Sequence, residues 1–345
     1  MSTTPAESLD GRDLGNGWKV IDKITRKKIS TGGHFSIGYK VINADEKEAF
    51  LKALDFSSAA QHLDSARVLQ AMLEAYNYER NLLDKCKDRK LKRVMTPILD
   101  GSIVVPGFGI YSPVYYLIFP LADGDIRDVL DDFNEFDLVW CLRSLHHVSI
   151  GLHQLHGIGV AHQDIKPSNI LFRDGDGSRV SDLGRASDQN RPAPYDQHVV
   201  AGAIAYAPID LYYKDTGVEG FNKRLLTDLY LLGSLVFFHF AGASAVDALR
   251  VKLRGAKLGS TSFKQDLPYL QHAFEECVND LRTHIAQRAG ILTEEIILLV
   301  KQLCDPDPTK RGDPRWKDSL VSASDLQTYI SKFDHLCRKA ESTLL

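Results

Sequence analysis

Hydrophobic positions follow two different periods along this chain. As far as about residue 120, apolar and polar residues alternate in short runs: WKVIDKITRKKI from Trp18, ISTGGHFSIGYKVINAD around paired glycines, EAFLKALD at 48–55, VMTPILDGSIVV from Val94 and SPVYYLIFPL from Ser112. Alternation of this kind is the pattern of half-buried strands, and the glycines mark turns between them. One segment differs: Ala66, Leu69, Met72, Leu73, Tyr76 and Leu83 recur at helical spacing from Ser65. After DGDIRDVLDDF the pattern becomes mainly helical, with FDLVWCLRSLHHVSIGLHQLHG reading as a strongly apolar core helix. A five-stranded sheet with one helix followed by a larger helical part is an α+β arrangement.

The last apolar stripe, Leu326, Ile330, Phe333, Leu336 and Cys337, predicts an amphipathic terminal helix. It either packs on the helical part or offers a surface to a regulatory partner or a second copy. Residues 1–18 are polar and Gly-rich and read as a flexible lead. The run from Lys85 to Arg93 holds six basic residues in nine, either a solvated helix end or a dock for an acidic partner.

Composition narrows the class. With 345 residues and 44% hydrophobic content the chain can bury a large core. The net charge of −3 argues against a nucleic-acid binder. No uninterrupted apolar run of membrane length and no signal-peptide pattern appear, so a soluble, cytoplasmic protein without membrane contact is expected. Five scattered cysteines read as reduced structural thiols, and the histidines as packing residues.

Candidate chemistry concentrates between His162 and Gly184, HQDIKPSNILFRDGDGSRVSDLG. A helix ending in glycine leads into a loop carrying Asp164, Lys166 and Asn169. NILF and SRVSDLG then flank the turn RDGDG, so a hairpin returns Asp182 beside that loop. An acid to take a hydroxyl proton, an ammonium, and hard oxygen donors for Mg²⁺ suit phosphoryl transfer, in which positioning and charge neutralisation supply most of the rate. In EAFLKALD, the same parity puts Lys52 with Phe50 and Leu54 on one face. A lysine on an apolar inward face requires a carboxylate partner, and the following helix offers Glu74 and Glu79.

His162-Gln163-Asp164 with Asn169, followed by Asp182-Leu183-Gly184, resembles the catalytic loop and metal motif of the eukaryotic-type (Hanks-type) Ser/Thr protein kinases. The resemblance extends to AYAPIDLYY, DLYLLGSLVFF and DPDPTKR. It implies a bilobed kinase-like fold with a small antiparallel N-lobe over residues 19–120, a mainly helical C-lobe over 121–311 and a helical tail over 312–345. It implies ATP and Mg²⁺ as cofactors and a protein substrate, with Asp164 as catalytic base and Lys166 beside the transferred group. Asn169 and Asp182 would hold metal. Lys52 would hold phosphates, paired with Glu79, because ERNLLDKC resembles the family's segment at that place. Gly33 falls in the glycine-rich loop, and Phe50, Phe119, Leu121 and Leu171 fall among the nucleotide-binding positions. Arg311 would pair with Asp210.

Departures accompany the matches. Gln163 stands where many kinases carry an arginine for a phosphorylated activation loop, and between Arg185 and Val200 only Ser187 and Tyr195 offer hydroxyls. Activity without loop phosphorylation is expected. Ala203 replaces a threonine near the catalytic acid. Thr31 and Ser36 replace outer glycines of the phosphate loop, while Phe50 is large where the family is small and Gly38 small where it is larger. An active Ser/Thr kinase and a nucleotide-binding pseudokinase scaffold are the two readings that these residues leave.

Overall fold

In a computed structural model, residues 3–24, 36–132, 136–255, 261–316 and 324–343 are described. The chain divides into two compact units, one of Met1–Lys90 with Met95–Asp123 and one of Leu91–Val94 with Gly124–Leu345.

Unit 1 is built on strands β1 (Trp18–Lys23), β2 (Ser36–Asn43), β3 (Glu48–Leu54), β4 (Leu99–Val104) and β5 (Pro113–Pro120), in the order β1-β2-β3-β5-β4. Every neighbour is antiparallel. Alternation sends Val20, Tyr39, Val41, Ala49, Leu51, Ala53, Tyr116 and Ile118 into one core. On β3 the fully buried set is therefore Ala49, Leu51 and Ala53, whereas Phe50 and Lys52 share the other, half-buried face. The face expected to be inward is the less buried one, because both parities of EAFLKALD carry apolar residues.

The expected flexible lead also departs from the structure. Ala6, Leu9 and Leu14 belong to the same core, and Pro5–Glu7 forms a short 3-10 turn capped by Thr4 and Glu7. The Tyr39 hydroxyl donates to the Ala6 carbonyl at 2.7 Å. A phenol buried under a sheet needs an acceptor, and the leading segment supplies it. Burial pushes the Tyr39 hydroxyl up to about 12.

Helix α1 (Ser65–Asp88) starts on Asp64, whose carboxylate accepts from the Arg67 amide at 3.1 Å. It runs beyond Leu83, with Lys85 and Lys87 in its last turn, where the C-terminal carbonyls favour cations. The first part of the basic run is thus a helix end. Its last residue, Arg93, lies in unit 2 and donates to the Asp176 carbonyl.

Unit 2 contains α2 (Ile126–Asp132), α3 (Leu138–Gly157), α4 (Gly220–Ala241), α5 (Ala245–Lys252), α6 (Phe263–Ala289), α7 (Thr293–Cys304) and α8 (Gln327–Thr343). Strands β6 (Gly124–Asp125), β8 (Ile170–Arg173) and β9 (Gly177–Val180) make a small sheet, and β7 (Val160–Ala161) pairs with β10 (Ser187–Asp188). Helix α4 is long and apolar enough to cross a membrane by length and composition, yet it is largely buried inside this unit.

Helix α8 lays Tyr329, Phe333, Leu336, Cys337 and Ala340 against α3, where His146 Nδ1 lies 3.1 Å from the Ile330 carbonyl. Its apolar face is covered within the chain. A partner on this helix would therefore meet its charged side, so the apolar stripe does not supply a dimer surface. All five cysteines are free and buried.

Candidate active site

The catalytic-loop residues lie in unit 2. Helix α3 ends at Gly157, the chain turns at Gly159 with φ of +72°, and β7 delivers it to His162. Asp228, fully buried on α4, accepts from the His162 and Gln163 amides, each at 2.7 Å, and meets His156 Nε2 at 2.9 Å. Gln163 adopts φ of +61°, a left-handed conformation that a non-glycine residue keeps only when its surroundings hold it. The Asp228 carboxylate is one such hold.

Asp164 follows and is 5% exposed. Its Oδ2 accepts from Lys166 Nζ at 2.7 Å and from Asn169 Nδ2 at 3.1 Å, while its Oδ1 accepts from the Ala203 amide at 2.7 Å. Asn169 Nδ2 also donates to the Asp164 carbonyl at 2.8 Å. A backbone N–H therefore contacts the carboxylate from a residue whose side chain is a methyl group. Only glycine fits at 202, since a Cβ there would collide with the Gln163 carbonyl and lie 2.8 Å from Asp164 Oδ1.

The β8–β9 hairpin forms as the turn sequence predicts. Ser181 fixes its return by donating its amide and hydroxyl to the Asn169 carbonyl at 2.8 and 2.9 Å. Asp182 comes next with φ of +63°, at the start of the Leu183–Arg185 turn. Asp164, Lys166, Asn169 and Asp182 thus belong to one hydrogen-bonded loop and hairpin. Leu171, half-buried on β8, pairs with Asp125 of β6.

Unit 1 carries the residues expected at nucleotide-binding positions. Lys52 Nζ meets Glu79 Oε1 at 2.8 Å, with side chains 17% and 7% exposed. Glu74 instead accepts from Gln70 Nε2 at 2.8 Å on the exposed side of α1. Phe50 stands opposite Phe119 in the β3–β5 register, and Leu121 follows directly on β5. The Phe50 ring also lies over Gly38, where a Cβ would be 2.8 Å from Phe50 Cε2. The large and the small departure share one volume. Gly33, with Thr31 and Phe35, lies outside the described residues.

Residue patterns did not assign Asp228 to the backbone of this loop, and they placed Ala203 near the catalytic acid only as a lost threonine side chain, not as an amide donor. An acid inside the apolar run DLYLLGSLVFF was a signal for Asp228, because a buried carboxylate needs several donors. A backbone amide has no such signal.

Among the described residues no group of three or more His, Cys, Asp or Glu side chains forms a metal cage. Mg²⁺ held by few protein oxygens together with phosphate and water needs none. The donor set fits that use: Asn169 directs its nitrogen to Asp164, so its amide oxygen, which accepts from the Ser168 hydroxyl at 3.4 Å, keeps a lone pair that could meet a cation, and Asp182 would add a carboxylate.

The family model for the protein kinase domain matches residues 26–316. Serine/threonine-protein kinase ppk34 of Schizosaccharomyces pombe is 27% identical over 207 residues, covering 58% of this chain and 51% of that protein. A probable serine/threonine-protein kinase of Dictyostelium discoideum is 24% identical over 237 residues, covering 66% and 44%. Serine/threonine-protein kinase AfsK of Streptomyces coelicolor is 33% identical over 113 residues, covering 31% and 13%. The chain spans about half or less of the length of these relatives. With a matched domain over most of its length and Ser/Thr kinases among its relatives, the chain belongs to the Hanks-type protein kinase family.

Proposed function

We propose that this chain is an ATP-dependent Ser/Thr protein kinase whose catalytic base is Asp164. The observation that carries the reading is the donor set on that carboxylate. An ionised carboxylate offers about four lone-pair sites. Lys166, Asn169 and the Ala203 amide take three, which fixes the group while leaving acceptor capacity for a substrate hydroxyl. Lys166 is 2% exposed and brings its ammonium beside the acid, where it would counter charge on the transferred phosphoryl group. Asn169 and Asp182 would hold Mg²⁺, which when bound neutralises phosphate charge. Lys52, oriented by Glu79, would hold ATP phosphates.

A protein substrate rather than a small molecule is supported by the Lys166 position and by the Asp210 and Arg311 pair beyond the loop. Gln163 in place of an arginine supports activity without a phosphate on the 185–200 segment. The scaffold reading rests on the size of Phe50 at a nucleotide-binding position, although its ring takes the space that a larger residue at 38 would fill.

Incubation with labelled ATP, Mg²⁺ and a generic basic protein substrate, comparing intact chain with Asp164→Ala, tests the reading. Loss of a general base costs about 10²- to 10⁴-fold in rate. Label transferred by the intact chain and lost in the variant is the expected result. ATP binding seen as a raised melting temperature, without transfer by either chain, selects the scaffold instead.

A further inference from the structure

The segment after Asp182 is tied down at one point. Ser187, on β10, is 2% exposed. Its hydroxyl donates to Asp196 Oδ1 at 2.7 Å and accepts from Gln163 Nε2 and from Arg224 Nη1, each at 2.6 Å. A hydroxyl has one hydrogen and two lone pairs, so this one is saturated. Asp196 Oδ1 also lies 2.9 Å from Arg224 Nη1, and its Oδ2 accepts from the Ala193 amide at 2.8 Å. Arg224 further reaches Gln163 Oε1 at 3.2 Å.

Three parts of the chain meet in this knot. Gln163 is the neighbour of Asp164, Asp196 belongs to the loop, and Arg224 sits in the second turn of α4, the helix whose Asp228 holds the Gln163 backbone. The knot contains one cation and one anion, both about three-quarters enclosed. Loops ordered by phosphorylation use an added phosphate to meet a waiting guanidinium. Here the guanidinium already has a carboxylate. A phosphate on Ser187 would remove the hydrogen that the hydroxyl donates to Asp196 and would stand against that carboxylate, a like charge. Tyr195, the other hydroxyl of the segment, has its ring 3.8 Å from the Arg185 guanidinium carbon.

We propose that Asp196, clamped by Arg224 and Ser187, is a built-in latch that seats the 185–198 segment on Gln163 and so positions Asp164 for transfer with no phosphate on the loop. The proposal rests on the kinase reading above and adds the residues that replace the phosphate. Asp196, Ser187, Arg224 and the Gln163 side chain are positioning residues, acting through the loop on the base. The carboxylate is fixed in the sequence, so the latch is permanent.

The test uses the full chain, freed of phosphate by a phosphatase and checked by intact mass, with Asp196→Ala, Arg224→Gln, the two combined, and Asp196→Glu. Losing a hydrogen-bonded charge pair should lower kcat about tenfold or more in each single variant, with KM for ATP changed less than about twofold. The combined variant should be no worse than either single one, because both remove the same interaction. Asp196→Glu, which keeps the charge, should recover most of the rate. Amide exchange over 188–200 should quicken in Asp196→Ala and Arg224→Gln while the melting temperature holds. Full rate in Asp196→Ala, exchange equal to that of the intact chain, or loss of the intact chain's rate on phosphatase treatment would each overturn the latch. If the intact chain transfers nothing before or after that treatment, the kinase reading fails, and loop exchange in the variants alone decides whether the knot orders the segment.

Discussion

Arg311 and Asp210 form an ion pair inside unit 2, with side chains no more than 1% exposed. The guanidinium also donates from Nε to the Asp305 carbonyl at 2.8 Å and lies 4.9 Å from the centre of the Tyr230 ring. Removing one partner of such a pair strands a charge in the interior and costs about 3–5 kcal/mol, whereas replacing both by apolar residues of similar volume is much cheaper. Arg311→Met should therefore destabilise unit 2 by that order, and Arg311→Met with Asp210→Leu should regain most of it. Hydrogen exchange of the α4 amides reads the difference. A single variant that exchanges like the intact chain would show that the pair is not a stabilising contact.

Gly38 and Phe50 make a second testable couple. Adding a valine at 38 forces its Cβ to within 2.8 Å of the Phe50 ring, so something must shift. Overpacking of this kind costs about 1–3 kcal/mol. Gly38→Val alone should lower the melting temperature, and Gly38→Val with Phe50→Ala should restore it and bring ATP binding at least to the intact level. Strictly additive effects in the four-chain cycle would mean that the ring does not fill the glycine's space.

Two buried histidines resist protonation in the folded chain. Burial pushes His239 down to about 3, and neither of its ring nitrogens has a hydrogen-bond partner among the described residues. Burial and then the neighbouring Arg93 charge push His147 down to about 3. An unfolded histidine takes its proton near pH 6.5. As pH falls from 6.5 towards 3, the unfolded chain binds protons that the folded chain refuses, so stability falls with falling pH. The slope reaches about 1.4 kcal/mol per pH unit for each such residue. His239→Leu should remove its share and flatten the decline, which denaturation at pH 8 and pH 5 would measure. An unchanged slope would mean that His239 takes up its proton in the folded state as readily as in the unfolded one.

The Lys52–Glu79 pair was legible because a lysine among apolar residues demands a carboxylate and the family resemblance named which one, whereas the Arg311–Asp210 pair was legible from the resemblance alone. The β8–β9 hairpin was legible from its turn, and the sheet from alternation. The inward face of β3 was not, since alanines at 49 and 53 look no more hydrophobic than the Phe50 and Leu54 parity. The packed lead was hidden for a related reason: Ala6, Leu9 and Leu14 are isolated among polar residues, and the core they join, with the Tyr39 hydroxyl that bonds the Ala6 carbonyl, lies far along the chain. The Ala203 contact to Asp164 is made by backbone, which every residue carries. Arg224 and Asp196 look like surface charges until the chain is folded.

The family match ends short of the folding units at both termini, for it covers residues 26–316, while Ala6, Leu9 and β1 lie before it and α8 after it. Cutting the chain to the matched length would uncover the Tyr39 side of the sheet in unit 1 and the α8-facing side of α3 in unit 2. Contiguous apolar patches of that kind promote self-association. For this protein, solubility and family resemblance define different boundaries, and a chain cut to residues 26–316 would report on an exposed core rather than on the folded units.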